Sequence, residues 1–165
     1  MPATRILRPQ PLTKQAFLPF GQVLETDGLT PEPINFGNTQ KFGKLAEISF
    51  DPGSHGQVSI YRSSAIEQPF RIRLMERHPL GSQAFYPLHN RPFPVIVAAT
   101  DVAPGFADIR VFLTNGHQGV NIDPGIWHHY QLTLGKESEY VVFDRLGSGE
   151  NYQESCLEEE VLLDL

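Results

Sequence analysis

The sequence predicts an all-β protein, either a sandwich or a barrel of short strands, and three observations support this fold class. Short runs rich in β-branched and aromatic residues recur along the whole chain. Between these runs lie 14 glycines and 14 prolines, which favour frequent turns. A helical pattern is present only near the start of the sequence. Because unpaired strand edges promote association, a closed barrel or a double sheet is the expected architecture.

The one predicted helix begins after Thr13, which can act as its N-cap, and ends near Leu18 because Pro19 disfavours helical backbone in the residue before it. The chain has 165 residues and contains no internal repeat or low-complexity linker, so one domain, residues 1–165, is expected. Eight strands are predicted, at residues 45–50, 57–62, 70–76, 83–86, 95–99, 109–113, 131–134 and 140–144.

Composition argues against several classes of function. The formal net charge is −6 with the six histidines counted as neutral, and the basic residues are scattered, so no nucleic-acid-binding surface is expected. MPATRILRPQPLTK contains no apolar run of signal-peptide length, and no segment approaches the ~18 apolar residues of a membrane span. We therefore expect a cytoplasmic protein that binds no membrane. Cys156 is the only cysteine, which excludes an internal disulfide and a cysteine-based zinc site.

The clearest alternation occurs in PFRIRLMERH, where Phe70, Ile72 and Leu74 share one face and arginines occupy the other. Continuing this alternation places Glu76 and His78 on the inward, apolar side. Ionisable groups there are costly unless they are paired, hydrogen-bonded or bound to a metal. This end of the strand is therefore a candidate functional site, although polar residues that merely cap a hairpin would give the same pattern.

A second polar cluster lies in TNGHQGVNIDPGIWHH, which contains Asn121, Trp127, His128 and His129. Neighbouring residues of a strand point to opposite faces, so only one of the two adjacent histidines should face a given pocket.

A third segment, FDRLGSGEN, places Arg145 between a predicted strand and a glycine-rich turn. No helix start follows these glycines, so a phosphate-binding loop is not supported and a surface turn is the simpler interpretation. The sequence also lacks GxSxG, HExxH and Walker motifs. Histidine, glutamate, amide and arginine side chains inside a β-barrel would suit acid–base or metal-assisted chemistry on a small anionic substrate.

Two of these segments resemble the motifs of cupins. Glu76, His78 and Gln83 have the spacing of the first motif, HxHxxxxE, and DPGIWHH resembles the second through His128. The resemblance implies a double-stranded β-helix, or jelly-roll barrel, with a metal site formed by these four residues. Glutamate replaces the first histidine and glutamine the usual glutamate; because Gln is a poor ligand for most transition metals, three-ligand and metal-free chemistry remain alternatives.

The blocks ERHPLGSQAFYPL, then TNGHQGVN with GIWHH, then FDRLGSGEN resemble, in that order, the ureidoglycolate lyase family. This resemblance implies a homodimer that cleaves (S)-ureidoglycolate to glyoxylate and urea in allantoin breakdown, with a divalent metal such as nickel. It suggests His128, Glu76 and His78 as catalytic residues. Substrate-binding residues would then be Arg77, Gln83, Asn121, Trp127 and Arg145, with the carboxylate anchored by Arg77 or Arg145.

Two other functions fit the same residues. An amidohydrolase would release ammonia and carbon dioxide instead of intact urea. A cupin that binds a small molecule without catalysis would use the same pocket, because one fold hosts many functions.

Overall fold

In the computed structural model, which describes residues 4–165, nearly all regular structure is β-strand. Fourteen strands lie within these residues: β1 (Arg5–Leu7), β2 (Gln10–Pro11), β3 (Gly21–Leu24), β4 (Glu32–Ile34), β5 (Thr39–Lys41), β6 (His55–Ser63), β7 (Phe70–Arg77), β8 (Gln83–Pro87), β9 (Pro94–Ala98), β10 (Arg110–Leu113), β11 (Gly119–Ile122), β12 (Trp127–His128), β13 (Ser138–Leu146) and β14 (Gln153–Leu163).

These strands form two large sheets and a small hairpin. One sheet has seven strands in the order β1-β14-β7-β12-β9-β10-β2, and the other has five in the order β3-β11-β8-β13-β6. The chain passes repeatedly from one sheet to the other, and β4 and β5 pair only with each other. This is a cupin-like, jelly-roll arrangement, so the predicted fold class is confirmed.

The main core lies between the two large sheets. Val95 and Val97 of β9 and Phe112 of β10 pack there against side chains from the five-stranded sheet, which are Phe85, Val120, Ile122, Tyr140 and Val142. A second cluster covers the outer face of the seven-stranded sheet and includes Ile96 and Ala98 of the same β9. All five residues of β9 are therefore buried, which explains its continuous apolar sequence PVIVA.

The predicted helix is confirmed as α1, Lys14–Phe17. The Thr13 hydroxyl accepts a hydrogen bond from the backbone N–H of Ala16, which satisfies one of the free donors at the helix start. Phe17 is fully buried and meets the ring of Phe112 edge-on, with 5.4 Å between centroids. The short helix thus closes one end of the main core.

Six of the predicted strands are confirmed as β6, β7, β8, β9, β10 and β13, whereas residues 45–50 and 131–134 were wrongly predicted as strands. Each wrong segment makes one isolated bridge, Phe50 with Gly81 and Thr133 with Ala65. Their other backbone bonds are single contacts to side chains or to the backbone: the Ser49 N–H donates to Ser82 Oγ, and the Ser49 carbonyl accepts from the Ser82 N–H. Such segments cross the sheets without joining a ladder.

The apolar face predicted for β7 is interrupted. Ile72 and Met75, three residues apart, belong to the same outer cluster, which strict alternation does not allow. The pairing of β14 with β7 shifts register between Cys156 and Val161, opposite this point. The expected alternation is therefore wrong between residues 72 and 75, although Glu76 still turns inward.

Among residues 4–165, no helix has both the length and the apolar character needed to cross a membrane.

The start of β3 provides a stability test. Gly21 has φ of 145°, and a Cβ at this position would collide with the carbonyl oxygen of Asn121 in the adjacent strand. Gly28 also has a positive φ, 74°, but an added Cβ would meet nothing within 4 Å. We expect Gly28→Ala to lower the free energy of unfolding by ~1–3 kcal/mol. For Gly21→Ala we expect a loss above ~4 kcal/mol, measured by urea denaturation; equal losses would contradict the structure.

Candidate active site

The site is organised by direct pairing of Glu76 on β7 with His128 on β12. His128 also pairs with Val97, a residue of the core between the sheets, so all three side chains point into that interior. His78 follows the end of β7. One potential ligand atom from each of Glu76, His78 and His128 lies within 4.8 Å of the others. These three residues are called the Glu76 triad below.

Hydrogen bonds orient both histidines of the triad. Nδ1 of His78 lies 2.8 Å from the carbonyl oxygen of Asn151, and Nδ1 of His128 lies 3.1 Å from that of His129. Because a carbonyl oxygen only accepts, Nδ1 carries the proton in each neutral ring. Each Nε2 therefore presents a lone pair, and both Nε2 atoms are buried without a hydrogen-bond partner in the described part of the chain.

Burial controls the protonation of the triad. It lowers the pKa of His128 to about 3, with a further contribution from the nearby His78, so His128 is neutral at physiological pH. Burial also raises the pKa of the Glu76 carboxyl, and Glu154 adds to this; His78 and a hydrogen bond from Tyr152 act in the opposite direction. Glu76 thus holds a proton more readily than an ordinary glutamate.

Two side chains of the five-stranded sheet point into the same interior. Gln83 on β8 and Asp144 on β13 each lie two residues from a member of the main core, Phe85 and Val142. Gln83 Nε2 donates to the Asp144 carboxylate at 3.2 Å. The second oxygen of each group, Gln83 Oε1 and Asp144 Oδ1, is buried and has no partner among residues 4–165.

Tyr61 connects the two sides of the interior. It pairs with Tyr140 across β6 and β13, and its ring meets Phe85 edge-on. Burial raises the pKa of Tyr61, and the negative charges of Asp144 and Glu76 raise it further. Tyr61 is therefore near both carboxylates. Sequence reasoning missed Tyr61 and this role of Asp144, although the alternation of Tyr140, Val142 and Asp144 was a usable signal.

Two further residues beside the triad were missed because β14 was not predicted. Glu154 is paired with Glu76 across β14 and β7. The Tyr152 hydroxyl donates to the Glu154 carboxylate at 2.6 Å, and Tyr152 also opposes the rise in the pKa of the Glu76 carboxyl that burial causes. The Tyr152 ring lies 6.1 Å from that of His78. Tyr152 and Glu154 thus influence the protonation of Glu76 from the adjacent strand.

The structure does not bring Arg77 and Trp127 to the triad. Both lie on the outer face of the seven-stranded sheet, where Trp127 belongs to the outer cluster. The guanidinium of Arg77 lies 4.5 Å above the Trp127 ring and donates to the Gln153 side chain and to the Asp101 carbonyl. These contacts stabilise the sheet from outside.

Arg145 and Asn121 also point away from the triad. Arg145 follows the inward-facing Asp144 and forms an ion pair with Asp51, while donating to the carbonyls of Gly147 and Ser148. Asn121 lies between Val120 and Ile122 of the main core, so its side chain faces the other way and donates to Gln22 and to the Glu47 carbonyl. Neither arginine suggested by the sequence reaches the triad.

The donor set of the triad fits a divalent metal ion. Two imidazoles with free Nε2 atoms and one carboxylate are ligands that transition metals accept, and histidine ligands commonly donate their other N–H to a carbonyl. Gln83 faces the same interior, but one side of its amide is bound to Asp144. The structure therefore supports a three-residue metal site at Glu76, His78 and His128.

A cupin-like barrel with this interior defines the class of the protein, a small-molecule enzyme capable of acid–base or metal-assisted chemistry. Comparison with known proteins narrows the class. The sequence model of the family described as ureidoglycolate lyase matches residues 4–164. The chain belongs to the ureidoglycolate lyase family.

Individual relatives match nearly the whole chain. A protein named ureidoglycolate lyase from Pseudomonas entomophila is 48% identical over 160 residues, which cover 96% of each chain. Proteins of the same name from Pseudomonas paraeruginosa and Pseudomonas fluorescens are 47% and 46% identical, over 97% and 94% of this chain and 96% and 94% of their own.

The second adjacent histidine allows a test of acid stability. His129 packs edge-on against Phe70, with 5.4 Å between ring centroids, and burial lowers its pKa to about 4. Below the ordinary histidine pKa of about 6.5 the unfolded chain binds the extra proton first, so stability falls as pH falls from 6.5 towards 4. We expect His129→Gln to reduce this loss of stability between pH 6.5 and pH 4, by roughly 3 kcal/mol at most. Urea denaturation at pH 7, 6, 5 and 4 measures it, and identical pH profiles would contradict the assignment.

Proposed function

We propose that this protein cleaves ureidoglycolate to glyoxylate and intact urea, as the last step of allantoin breakdown. The observation that carries the proposal is the convergence of Glu76, His78 and His128 in the interior of a chain that belongs to the ureidoglycolate lyase family. The described side chains of this interior include acid–base groups and no cysteine or serine next to a base that would indicate a hydrolytic nucleophile.

The reaction needs two proton transfers. The central carbon of ureidoglycolate bears a hydroxyl, a carboxylate and the ureido nitrogen. Removal of the hydroxyl proton lets the oxygen form a carbonyl while the carbon–nitrogen bond breaks and its electron pair stays on nitrogen. That nitrogen takes up a proton and urea leaves, without cleavage of a carbon–hydrogen bond. A positioned acid or base contributes roughly 10²- to 10⁴-fold to such steps.

Glu76 is the residue best matched to proton transfer. Its pKa is raised towards the working pH by burial, whereas that of His128 is held near 3, which makes His128 a weak base. We propose that Glu76 accepts the hydroxyl proton and returns it to the departing nitrogen. His128 and His78 orient the substrate, through their free Nε2 atoms or through a cation that these atoms hold.

A divalent cation held by Glu76, His78 and His128 would supply Lewis-acid polarisation of the substrate oxygens. Nickel is the ion that the family resemblance leads us to expect. Arg77 and Arg145 are engaged in other contacts. The anchoring of the substrate carboxylate is therefore proposed to depend on a cation held by the triad and not on an arginine.

A homodimer of one-domain subunits is proposed as the working form. In support, the outer face of the five-stranded sheet exposes four neighbouring apolar side chains, Val58, Ile60, Tyr86 and Phe143. Exposed apolar patches of this kind are typical of association surfaces. The one-domain organisation of residues 1–165 and a cytoplasmic location stay predictions.

Product analysis tests the reaction type. We expect purified protein to release urea and glyoxylate from ureidoglycolate in equal amounts, because the proposed step breaks one carbon–nitrogen bond. Stripping divalent metal with a chelator should abolish turnover, and adding nickel should restore it.

Ammonia in place of urea would instead identify an amidohydrolase, and saturable binding without turnover a non-catalytic cupin. Full turnover in metal-free protein would support acid–base catalysis by the side chains alone.

A pair of adjacent variants tests the triad. We expect His128→Ala to lower kcat roughly 10²-fold or more because it removes a group that orients the reacting oxygen. His129→Ala, which lies on the opposite side of the strand, should keep kcat and lower the melting temperature. Kinetics, thermal unfolding and sedimentation on both variants decide the matter. An inactive, folded His129→Ala beside an active His128→Ala would contradict the proposed role.

A further inference from the structure

We propose that Gln83 and Asp144 form the subsite that binds the ureido group of the substrate, by accepting hydrogen bonds from its N–H groups. This inference rests on the proposed cleavage of ureidoglycolate and adds to it the residues that decide which way the substrate lies. It assigns a role in substrate binding to Asp144, which lies in the block FDRLGSGEN but was not among the residues suggested there for substrate binding.

The contact between the two side chains fixes their orientation. The Asp144 carboxylate can only accept hydrogen bonds, so the NH₂ side of the Gln83 amide must face it, as the 3.2 Å contact shows. Gln83 Oε1 consequently points the other way. Each residue is left with one buried acceptor oxygen that has no partner in the described residues. The pair therefore offers two oriented acceptors.

Unpartnered buried acceptors are uncommon in folded proteins, because leaving one unsatisfied is costly. Here two occur side by side on the five-stranded sheet, in the interior that also receives the two free Nε2 atoms from the side of the seven-stranded sheet. Polar atoms left unpaired at one place in the interior are more simply explained by a ligand than by four separate defects. Gln83 is 5% exposed, so water from the bulk does not reach its amide freely.

The chemistry of these atoms selects the end of the substrate. A ureido group carries three N–H donors, whereas a carboxylate carries none and is negatively charged. The Asp144 carboxylate attracts the ureido group and repels the substrate carboxylate. Such a combination of attraction and repulsion lets a site distinguish the two ends of a small ligand. The ureido end would then lie at Gln83 and Asp144, and the carboxylate end would lie where the Glu76 triad can hold a cation.

The location of Tyr61 supports an interior shared by the two sheets. Tyr61 pairs with the core residue Tyr140, its ring contacts Phe85, and Asp144 lies on the same face of β13 as Tyr140. A substrate whose central carbon lies beside Glu76 would then direct its ureido arm across this interior towards Asp144. An acid–base group and a ureido-binding subsite on opposite sheets would place the breaking carbon–nitrogen bond between them.

Product inhibition provides a test that general damage to the fold would not mimic. Urea should occupy the proposed subsite, and glyoxylate should occupy the triad. Asp144→Asn replaces one acceptor oxygen by an NH₂ donor with almost no change in volume. Since hydrogen bonds to charged groups contribute about 1.5–3 kcal/mol, we expect the inhibition constant of urea and the KM to rise roughly 10- to 100-fold. The inhibition constant of glyoxylate should change less than about 2-fold, which is less than about 0.4 kcal/mol.

The chain offers a matched control. Gln22 Nε2 donates to the Asp123 carboxylate at 3.0 Å, which is the same type of pair, and Gln22 lies opposite the outward-facing Asn121. Asp123→Asn should leave both inhibition constants and KM unchanged. Gln83→Met, which keeps the side-chain length and removes its acceptor, serves as the second test variant and replaces Asp144→Asn if that protein does not fold.

The outcomes separate the two proposals. If the unaltered protein does not cleave ureidoglycolate, the proposed function fails, and the subsite fails with it. If it cleaves ureidoglycolate but Asp144→Asn and Gln83→Met retain normal inhibition by urea, only the subsite is overturned. An equal loss for urea and glyoxylate, or no inhibition of the unaltered protein by urea, would also overturn it.

Discussion

The cross-strand pairing of Glu76 with His128 is the contact on which the site depends. β12 contributes only two residues, yet it lies between β7 and β9 and aligns His128 with both Glu76 and Val97. A shift of one residue would exchange His128 for Trp127 or His129, because strand neighbours face opposite sides. The apolar clusters on both faces of this sheet resist such a shift. It would turn Trp127 from the outer cluster into the interior and would place a histidine in the outer cluster.

The interior combines a stable frame with polar groups that are not satisfied by the protein itself. The frame consists of large buried side chains such as Phe112 and Tyr140, while Gln83 and Asp144 keep unpartnered oxygens beside them. Each such oxygen lowers stability by about 1–3 kcal/mol. A rigid surrounding core can carry this cost, and in return the polar groups are oriented before a substrate arrives. Stability and binding are thus divided between different residues of the same strands.

Arginines illustrate how residue type can mislead. Arg77 and Arg145 both stand next to residues that enter the interior, Glu76 and Asp144, and a guanidinium is well suited to binding a carboxylate. In the structure Arg77 stacks on Trp127 and Arg145 pairs with Asp51. Alternation along a strand explains both positions. It places Arg77 on the face opposite Glu76 and Arg145, which lies within β13, on the face opposite Asp144.

The sequence by itself determined the fold class, the position of α1 and six of the strands. It also identified Glu76, His78 and His128 as candidate catalytic residues. These features follow from local rules of alternation, capping and motif spacing. Residues 45–50 and 131–134 carry strand-like composition without strand pairing, and the glutamate-rich β14 forms a long strand despite low strand propensity. Only the tertiary structure decided that Gln83 and Asp144 enter the same interior as the triad, whereas the side chain of Asn121 points to the other face of its sheet. Their proximity depends on how two sheets pack face to face, and that arrangement joins residues far apart in the chain.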